Sequence, residues 1–588
     1  MREFFKTLFA TIIGFFISLF LLFILFAVII GVVISSANED KSVEIAANSV
    51  LFLNLDQQIS ERTSKNPLAG VPVIGGETSK TIGFADVIRA LKKARTDDNI
   101  KCVYINVTGP NAGMATMREV RNAIIDFRSS KKKVIAYSEY YSQGAYYLAS
   151  AADKVYLNPE GTVELKGFSS ELTFFKGALE KLGVEAQIVR VGNYKSAVEP
   201  FIYDKMSDYN RKQVTAYVSG LYNTFLSDIA ASRKVSKDSL AHIANELLVQ
   251  SPADALRLKV VDALKYKDEV LTELKKLSGK DADDNINSIT INDYAQNASE
   301  KAESSDKIAV VYANGDIMGG EGSDEQIGSE RISRALRKAR LDKKVKAVVL
   351  RVNSPGGSAL ASDVIWREVV LTRKSKPVIA SFGDVAASGG YYIGCAADSI
   401  FVQPNTITGS IGIFGIIPNF QKLMNEKLGI TFDGVKTGKY ADIMSTNRPM
   451  TPAERAIIQA ELNRIYSGFL QRVADGRKKS KSYVDSIGGG HVWVGTDAVR
   501  IGLADRIGSF NDAIAAAAKK AGLKEYKVMD YPEMISPLQS LLDNSSDKIK
   551  MALIKEELGE QYPVYKKIKE ISSRTGFLAR MPFEASIK

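Results

Sequence analysis

The chain is poor in the residues that build covalent staples and metal centres. Two cysteines, Cys102 and Cys395, exclude a disulfide framework and a metal cluster. Two histidines, His242 and His491, leave little choice of imidazole base for any acid–base chemistry. No basic stripe with interleaved aromatics and no zinc-finger spacing occurs, which argues against a nucleic-acid partner. The basic clusters at 131–133, 343–346 and 477–481 are short and scattered, so the net charge of +11 reads as solvated faces, with anionic lipid headgroups the one polyanionic surface left open. Neither a cofactor nor a metal is expected.

What the chain does have is length and a long apolar start. Its 588 residues, 45% hydrophobic and 25% charged, suffice for more than one domain. Residues 8–34 carry no charge over 27 positions. At about 1.5 Å per residue such a helix exceeds the roughly 30 Å hydrocarbon core of a bilayer. Arg2 and Lys6 precede the run and Glu39 and Asp40 follow it, so the positive-inside rule puts the N-terminus in the cytoplasm and the remaining mass outside. The run is about twice the 7–15 residues of a secretory signal and passes into SSANED without a small-residue cleavage site. We therefore expect residues 1–40 to be a cytoplasmic stub and an uncleaved transmembrane anchor in a bacterial inner membrane.

Beyond the anchor the chain repeats itself. ALKKAR at 90–95 matches ALRKAR at 335–340, and YYLASAADKVYLNP at 146–159 matches YYIGCAADSIFVQP at 391–404, both displaced by the same interval (335 − 90 = 245). LGVEAQIVRVGNYK at 182–195 lies over LGITFDGVKTGKYA at 428–441. A period this long implies two whole domains and not a solenoid. Each half alternates short β-rich runs with amphipathic helical patterns, the signature of an α/β fold with crossover connections. The expected organisation is a first repeat over 41–275, a polar linker over 276–306, a second repeat over 307–535, and a Lys/Glu-rich tail over 536–588 to which the sequence assigns no task.

The two halves differ where chemistry would sit. PVIASF reads as a strand running into FGDVAASGGYYIG, which places Ser388 at a strand-to-helix corner. A hydroxyl there projects beyond the sheet, near helix N-terminal N–H groups able to receive an oxyanion. A second Gly-rich corner, Ser354-Pro355-Gly356-Gly357, follows the preceding strand. In the first half Gln143 stands at the position of Ser388 (388 − 143 = 245), and TGPN at 108–111 replaces SPGG. A serine needs a base. His242 lies in a helical pattern and reads as a surface residue; His491, in GGGHVWVG, leaves a Ser-His-Asp arrangement open, with no orienting carboxylate marked. A lysine serves equally if burial keeps it neutral. Lys195 in VGNYKSAVEPF lies over Ala441, so the half without the serine has the lysine and the half with the serine lacks it. That complementary loss points to one composite site between the repeats.

Taken together, SPGGS, GDVAASGGYYIGCAAD, NTITGSIGIFG at 405–415 and GNYKSAVEPF resemble the signal peptide peptidase A family, also called protease IV, in its long, two-repeat, membrane-anchored bacterial form. The resemblance spans the chain from the anchor to about residue 535. It implies two tandem ClpP/crotonase-like domains, a Ser-Lys dyad, a homotetramer, and endopeptidase activity on signal peptide remnants and other hydrophobic peptides at the membrane. By motif, Ser388 is then the nucleophile and Lys195 the general base and later acid. Gly357 and Gly389 are the candidates for oxyanion donors, and Ser410 for orienting the amine. The alternatives are an acyl-CoA enzyme of the crotonase type, which needs a CoA pocket and usually acidic acid–base residues, and a non-catalytic membrane scaffold.

Overall fold

The Val345–Ser354 strand, VKAVVLRVNS, is apolar on both faces because it lies mid-sheet with helices packed on it, and only Lys346 of its first eight residues reaches solvent. The computed structural model describes residues 2–38, 44–63, 81–281, 283–296, 304–534 and 577–581, with four single positions between 554 and 562. In the second half, strands Val492–Val494, Ile407–Gly409, Val378–Ala387, Val345–Ser354, Lys307–Asn314 and Lys527–Tyr531 lie side by side in that order. The first half has the same plan. Strands Ala263–Leu264, Lys154–Val163, Lys133–Tyr141, Ile100–Ile105, Ser49–Leu53 and Ser288–Thr290 form an all-parallel sheet. Even an irregularity is shared: the register slips between Ser49 and Val50 and again between Lys307 and Ile308, at the equivalent strand pair. The two tandem α/β repeats expected from the duplication are therefore present.

A third sheet belongs to both halves. The Glu185–Arg190 strand of the first repeat pairs antiparallel with Phe414–Asn419 of the second, from Phe414 opposite Arg190 to Asn419 opposite Glu185. The repeats also meet at a buried ion cluster. Arg351, on the central strand of the second repeat, donates to Glu61 at 2.8 and 3.2 Å and to Glu119 at 3.2 Å, both carboxylates coming from the first. Its guanidinium lies 4.7 Å from the Phe84 ring centroid and 5.5 Å from that of Phe510. Burial alone would lower the Arg351 pKa; Glu61 and Glu119 reverse that and hold it cationic. Nearby, Asp384 accepts from Thr116 N–H at 2.9 Å and from Thr116 Oγ1 at 2.6 Å, a second cross-repeat tie just before the Ser388 corner.

Two sequence expectations change. Residues 276–306 are more than a linker: Ser288–Thr290 forms the edge strand of the first sheet and Ile291–Gln296 a short helix, with Ile289, Ile291 and Tyr294 buried. The polar average of that window hid three apolar residues placed to seal an edge. The tail is likewise part of the fold, because Phe577–Arg580 is a strand of the third sheet. At the other end, the Arg2–Asn38 helix contains a span from Arg2 to Leu25 long and apolar enough to cross a membrane, with its side chains exposed.

Removing Arg351 strands two buried carboxylates, a change that costs about 3–5 kcal/mol in comparable sites. Arg351→Ala is expected to lower stability by that order in a urea titration, while Arg464→Ala, at an exposed pair with Glu461, leaves it almost unchanged.

Candidate active site

The strand Val378–Ala387 carries the chain directly to Ser388, which takes φ 56° and ψ −114° before the Gly389–Gly394 helix begins. A non-glycine residue held there stores about 1–3 kcal/mol of strain, so its surroundings must fix it. They do so on both sides. Ser388 N–H donates to Gly409 O at 2.8 Å, and Ser388 O accepts from Tyr392 N–H at 2.8 Å. The tyrosines pin the short helix: Tyr391 Oη donates to Leu503 O at 2.8 Å and Tyr392 Oη to Asp363 at 2.7 Å. Gly390 lets this helix press against the other Gly-rich corner, since a Cβ on it would lie 2.6 Å from Ser354 O. Gly356, at φ +102°, does the same from the facing side: its Cβ would lie 2.8 Å from Gly389 N. The backbone N–H groups of the two corners are thereby gathered beside Ser388.

In the first repeat the same corner has relaxed. Gln143, at the position of Ser388, opens an ordinary helix capped by Ser142 at φ −62°, and its amide is tied to the loop at Lys166 and Gly167. Ala441, at the position of Lys195, is exposed.

Lys195 sits at the end of the cross-repeat strand pair, in a loop clamped by the second repeat. Val191 N–H donates to Ile413 O at 3.0 Å and Tyr194 N–H to Gly489 O at 3.0 Å. The lysine amine, fully buried, lies 2.8 Å from Ser388 Oγ, 3.0 Å from Ser410 Oγ and 3.1 Å from Ser410 O. Desolvation is the cause that pushes its pKa well below 10.5, and no carboxylate opposes it. A neutral amine has two N–H donors and one lone pair. Ser410 O and Oγ take the two donors, which leaves the lone pair facing the Ser388 hydroxyl. The structure thus brings together Lys195, Ser388 and Ser410, with Gly357 and Gly389 on the corners beside them.

It does not bring in a histidine. His491 stacks on Trp493 at 4.0 Å, lies 4.2 Å from the Tyr194 ring, and has Nδ1 2.9 Å from Val492 O; burial pulls its pKa down to about 4. Its part is structural, as its carbonyl accepts from Ser410 N–H at 2.7 Å. His242 is exposed on a helix. Two contributors escape the sequence reading. Gln213 ties the lysine loop down, donating to Tyr194 O at 3.1 Å and Ser196 Oγ at 2.5 Å and accepting from Val492 N–H at 3.2 Å. Gly488-Gly489-Gly490, read only as the setting of His491, permits the lysine loop to approach, because a Cβ on Gly490 would lie 2.5 Å from Lys195 N.

Known proteins point the same way. The profile of Peptidase family S49 matches residues 126–281 and 371–524, two segments displaced by the interval of the internal repeat (371 − 126 = 245). "Protease 4" of Salmonella typhi is 37% identical over 537 residues, covering 88% of this chain and 86% of its own. "Protease 4" of Haemophilus influenzae is 36% identical over 564 residues, covering 92% and 91%. The chloroplastic "Serine protease SPPA" of Arabidopsis thaliana is 30% identical over 513 residues, covering 85% and 73%. With both repeats matched by one profile and full-length relatives bearing the same name, the chain belongs to peptidase family S49 and is a serine protease.

Proposed function

We propose that the protein is a membrane-anchored endopeptidase that cuts hydrophobic peptides with a Ser388–Lys195 dyad. The observation that carries this reading is the 2.8 Å contact between a serine hydroxyl and a fully buried lysine amine whose pKa desolvation lowers well below its usual value. Lys195 Nζ takes the Ser388 proton as Oγ bonds to the substrate carbonyl carbon. The oxygen, now negative, is received by N–H groups of Gly357 and Gly389. The C–N bond then breaks, the leaving amine takes the proton from Lys195, and water releases the acyl group by the same steps in reverse order of roles. Ser410 holds the amine so that its lone pair meets the serine. Membership of a peptidase family favours this over acyl-CoA chemistry or a scaffold role.

The walls beside the dyad favour apolar peptides: Val198, Phe414, Ile188, Ile202 and Ile416 form one cluster there. With the N-terminal helix in the bilayer, a remnant signal peptide is the substrate nearest to hand. The charge asymmetry around that helix supports a cytoplasmic N-terminus and catalytic domains on the outer, periplasmic side.

A ring of identical chains, with four as the expected number, fits one further feature. Glu185–Arg190 finds its partner strand in the second repeat, yet its counterpart around 431–436 is coil, as is 169–174, the counterpart of Phe414–Asn419. Phe432 is 50% exposed and Val435 100%. Repeating the internal pairing between chains would cover both segments head to tail, the kind of contact that closes into rings.

Three outcomes are expected. Ser388→Ala and Lys195→Met each reduce kcat by at least about 1,000-fold, and an acylating serine probe labels wild type but neither variant; labelling of Lys195→Met at the wild-type rate would sink the dyad. Because the unfolded chain binds a proton that the buried amine does not, burial of Lys195 works against stability below pH 10.5 and the penalty is relieved as pH rises through 10.5. Lys195→Met should therefore melt no lower than wild type at pH 7, and wild-type kcat/KM should rise with pH and level off below pH 10.5. A profile still rising through pH 10.5 would contradict this. Val435→Asp combined with Phe432→Asp should shift the sedimenting species in detergent to a smaller size, and an unchanged size would remove this segment from the assembly.

A further inference from the structure

Glu199 is a buried carboxylate with no part in the proton transfers. It is fully buried and lies in the same KSAVEP stretch as Lys195. A carboxylate so placed would ordinarily hold a nearby lysine as an ammonium ion. It does not: burial is what shifts Lys195, with no contribution from a carboxylate. The oxygens of Glu199 turn to the start of the Asp208–Arg233 helix, where they accept from Ser207 N–H at 3.1 Å, Ser207 Oγ at 2.6 Å and Asn210 Nδ2 at 2.9 Å. Arg190, on the strand before the loop, has one guanidinium nitrogen 3.9 Å away.

From there a run of side-chain bonds returns to the lysine. Asn210 Oδ1 accepts from Gln213 Nε2 at 3.2 Å, and the same Nε2 donates to Tyr194 O and Ser196 Oγ, on the residues either side of Lys195. Gln213 Oε1 takes Val492 N–H, and Val492 is paired with Gly409, next to Ser410 on the serine side. Ser196, Glu199, Asn210 and Gln213 are all fully buried. The direction of each bond follows from Glu199, which as a carboxylate only accepts. Asn210 gives it Nδ2 and turns Oδ1 to Gln213, so Gln213 is left with Nε2 for the lysine loop and Oε1 for the second repeat.

The internal repeat provides a comparison within the molecule. The Asp208–Arg233 and Pro452–Arg477 helices are both 26 residues long and displaced by one interval (452 − 208 = 244). In that register Asn210 lies over Glu454, and Gln213 over Ile457, which is 44% exposed. Glu454 caps its own helix and pairs with Arg448. In the register that sets Lys195 over Ala441 (441 − 195 = 246), Glu199 lies over Ser445. The copy without the lysine therefore lacks Glu199, Asn210 and Gln213 as well. Helix packing alone would not separate the copies in this way, since the neighbouring positions Val214 and Ile458 are buried in both.

We propose that Glu199 is a positioning residue of the dyad: acting through Ser207, Asn210 and Gln213, it sets the lysine loop against the second repeat and keeps water from the amine. This rests on the Ser388–Lys195 reading and adds a charge outside the site on which the dryness of the amine depends. The ionisable groups around the run are Arg190 on the strand before the loop, Tyr209 and Lys212 on the helix, and His491 and Asp497 from the second repeat; none of them is a cause of the Lys195 shift. In Glu199→Gln one acceptor becomes an NH2 group facing donors, the run breaks or reverses, and the loop admits water to Lys195. The amine then regains proton affinity, and each tenfold gain leaves about one-tenth as much uncharged base at a pH below the midpoint.

The test uses the full-length protein and its Glu199→Gln, Ser207→Ala and Gln213→Ala variants with a chromogenic apolar peptide. Below the wild-type midpoint, Glu199→Gln should lower kcat about 10- to 100-fold with KM changed less than about twofold. Its rising limb of kcat/KM should move upward by at least about one pH unit, to a plateau within about threefold of wild type. Ser207→Ala, which deletes one donor and no charge, should move the limb the same way by less, and it decides by the same readings if Glu199→Gln does not fold. Glu199→Gln combined with Gln213→Ala should be no worse than the more damaging single change, as members of one run are not additive. In the Ser388→Ala background, lysine Cε resonances should place the Lys195 midpoint at a higher pH once Glu199→Gln is added. A limb that stays in place, or activity lost equally at every pH with the amine midpoint unchanged, overturns the proposal. A raised midpoint in a protein that cleaves no peptide would uphold the role of Glu199 and count against the peptidase reading instead.

Discussion

The structure depends on keeping one amine dry. Lys195 has no carboxylate to hold it in the ammonium form, and its contacts are two serines and a carbonyl. Burial therefore works against its charge, with each tenfold reduction in proton affinity costing the folded state about 1.4 kcal/mol. Such an expense persists only where the rest of the fold can carry it. The clamped loop, the glycine triplet at 488–490 and Gln213 exclude water from the amine and hold it against Ser388. The left-handed serine is a second local cost at the same spot.

Duplication supplied the scaffold for this. A single repeat offers a sheet, a Gly-rich loop and a strand-to-helix corner, but no second wall to bury a base against that corner. Two repeats joined through Glu185–Arg190 and Phe414–Asn419 bring a loop of one onto the corner of the other. Once that contact exists, each repeat needs only part of the site. Gln143 has become a loop tie and Ala441 a surface residue, while the buried Arg351–Glu61–Glu119 cluster and the Asp384–Thr116 contact fix the two repeats in the alignment the site requires. The free cysteines stand outside this chemistry, both buried in the sheets or the helix behind them.

Much of this is readable in the sequence because the duplication offers an internal comparison. Ser388 and Lys195 stand out by being kept in one copy and lost in the other, and the glycines beside them mark close backbone approach. Ser410 is a candidate for orienting the amine through the family resemblance, whereas its own sequence setting reads as a turn. Other parts leave no local trace. Glu61 and Glu119 look like ordinary surface charges, and Arg351 stands out only as a charge within the apolar VVLRV run, since nothing in the sequence tells that three chain-distant segments bury them together. Gln213 lies in a long helix with no distinguishing pattern. Phe577–Arg580 is four residues inside a Lys/Glu-rich tail, too short for any periodicity, and its strand character comes wholly from the two edges it bridges. The same holds for Ser288–Thr290, which the polar composition around it conceals.

The account is tested most directly by titrating the amine itself. Carbon-13 labelling at lysine Cε in the Ser388→Ala protein, with Lys195→Met as the blank that identifies the resonance, reads the protonation of Lys195 across the pH range. The expected result is a single transition centred well below 10.5. A midpoint at or above 10.5 would mean that the group is an ammonium in the working protein, and the proposed chemistry would have no base.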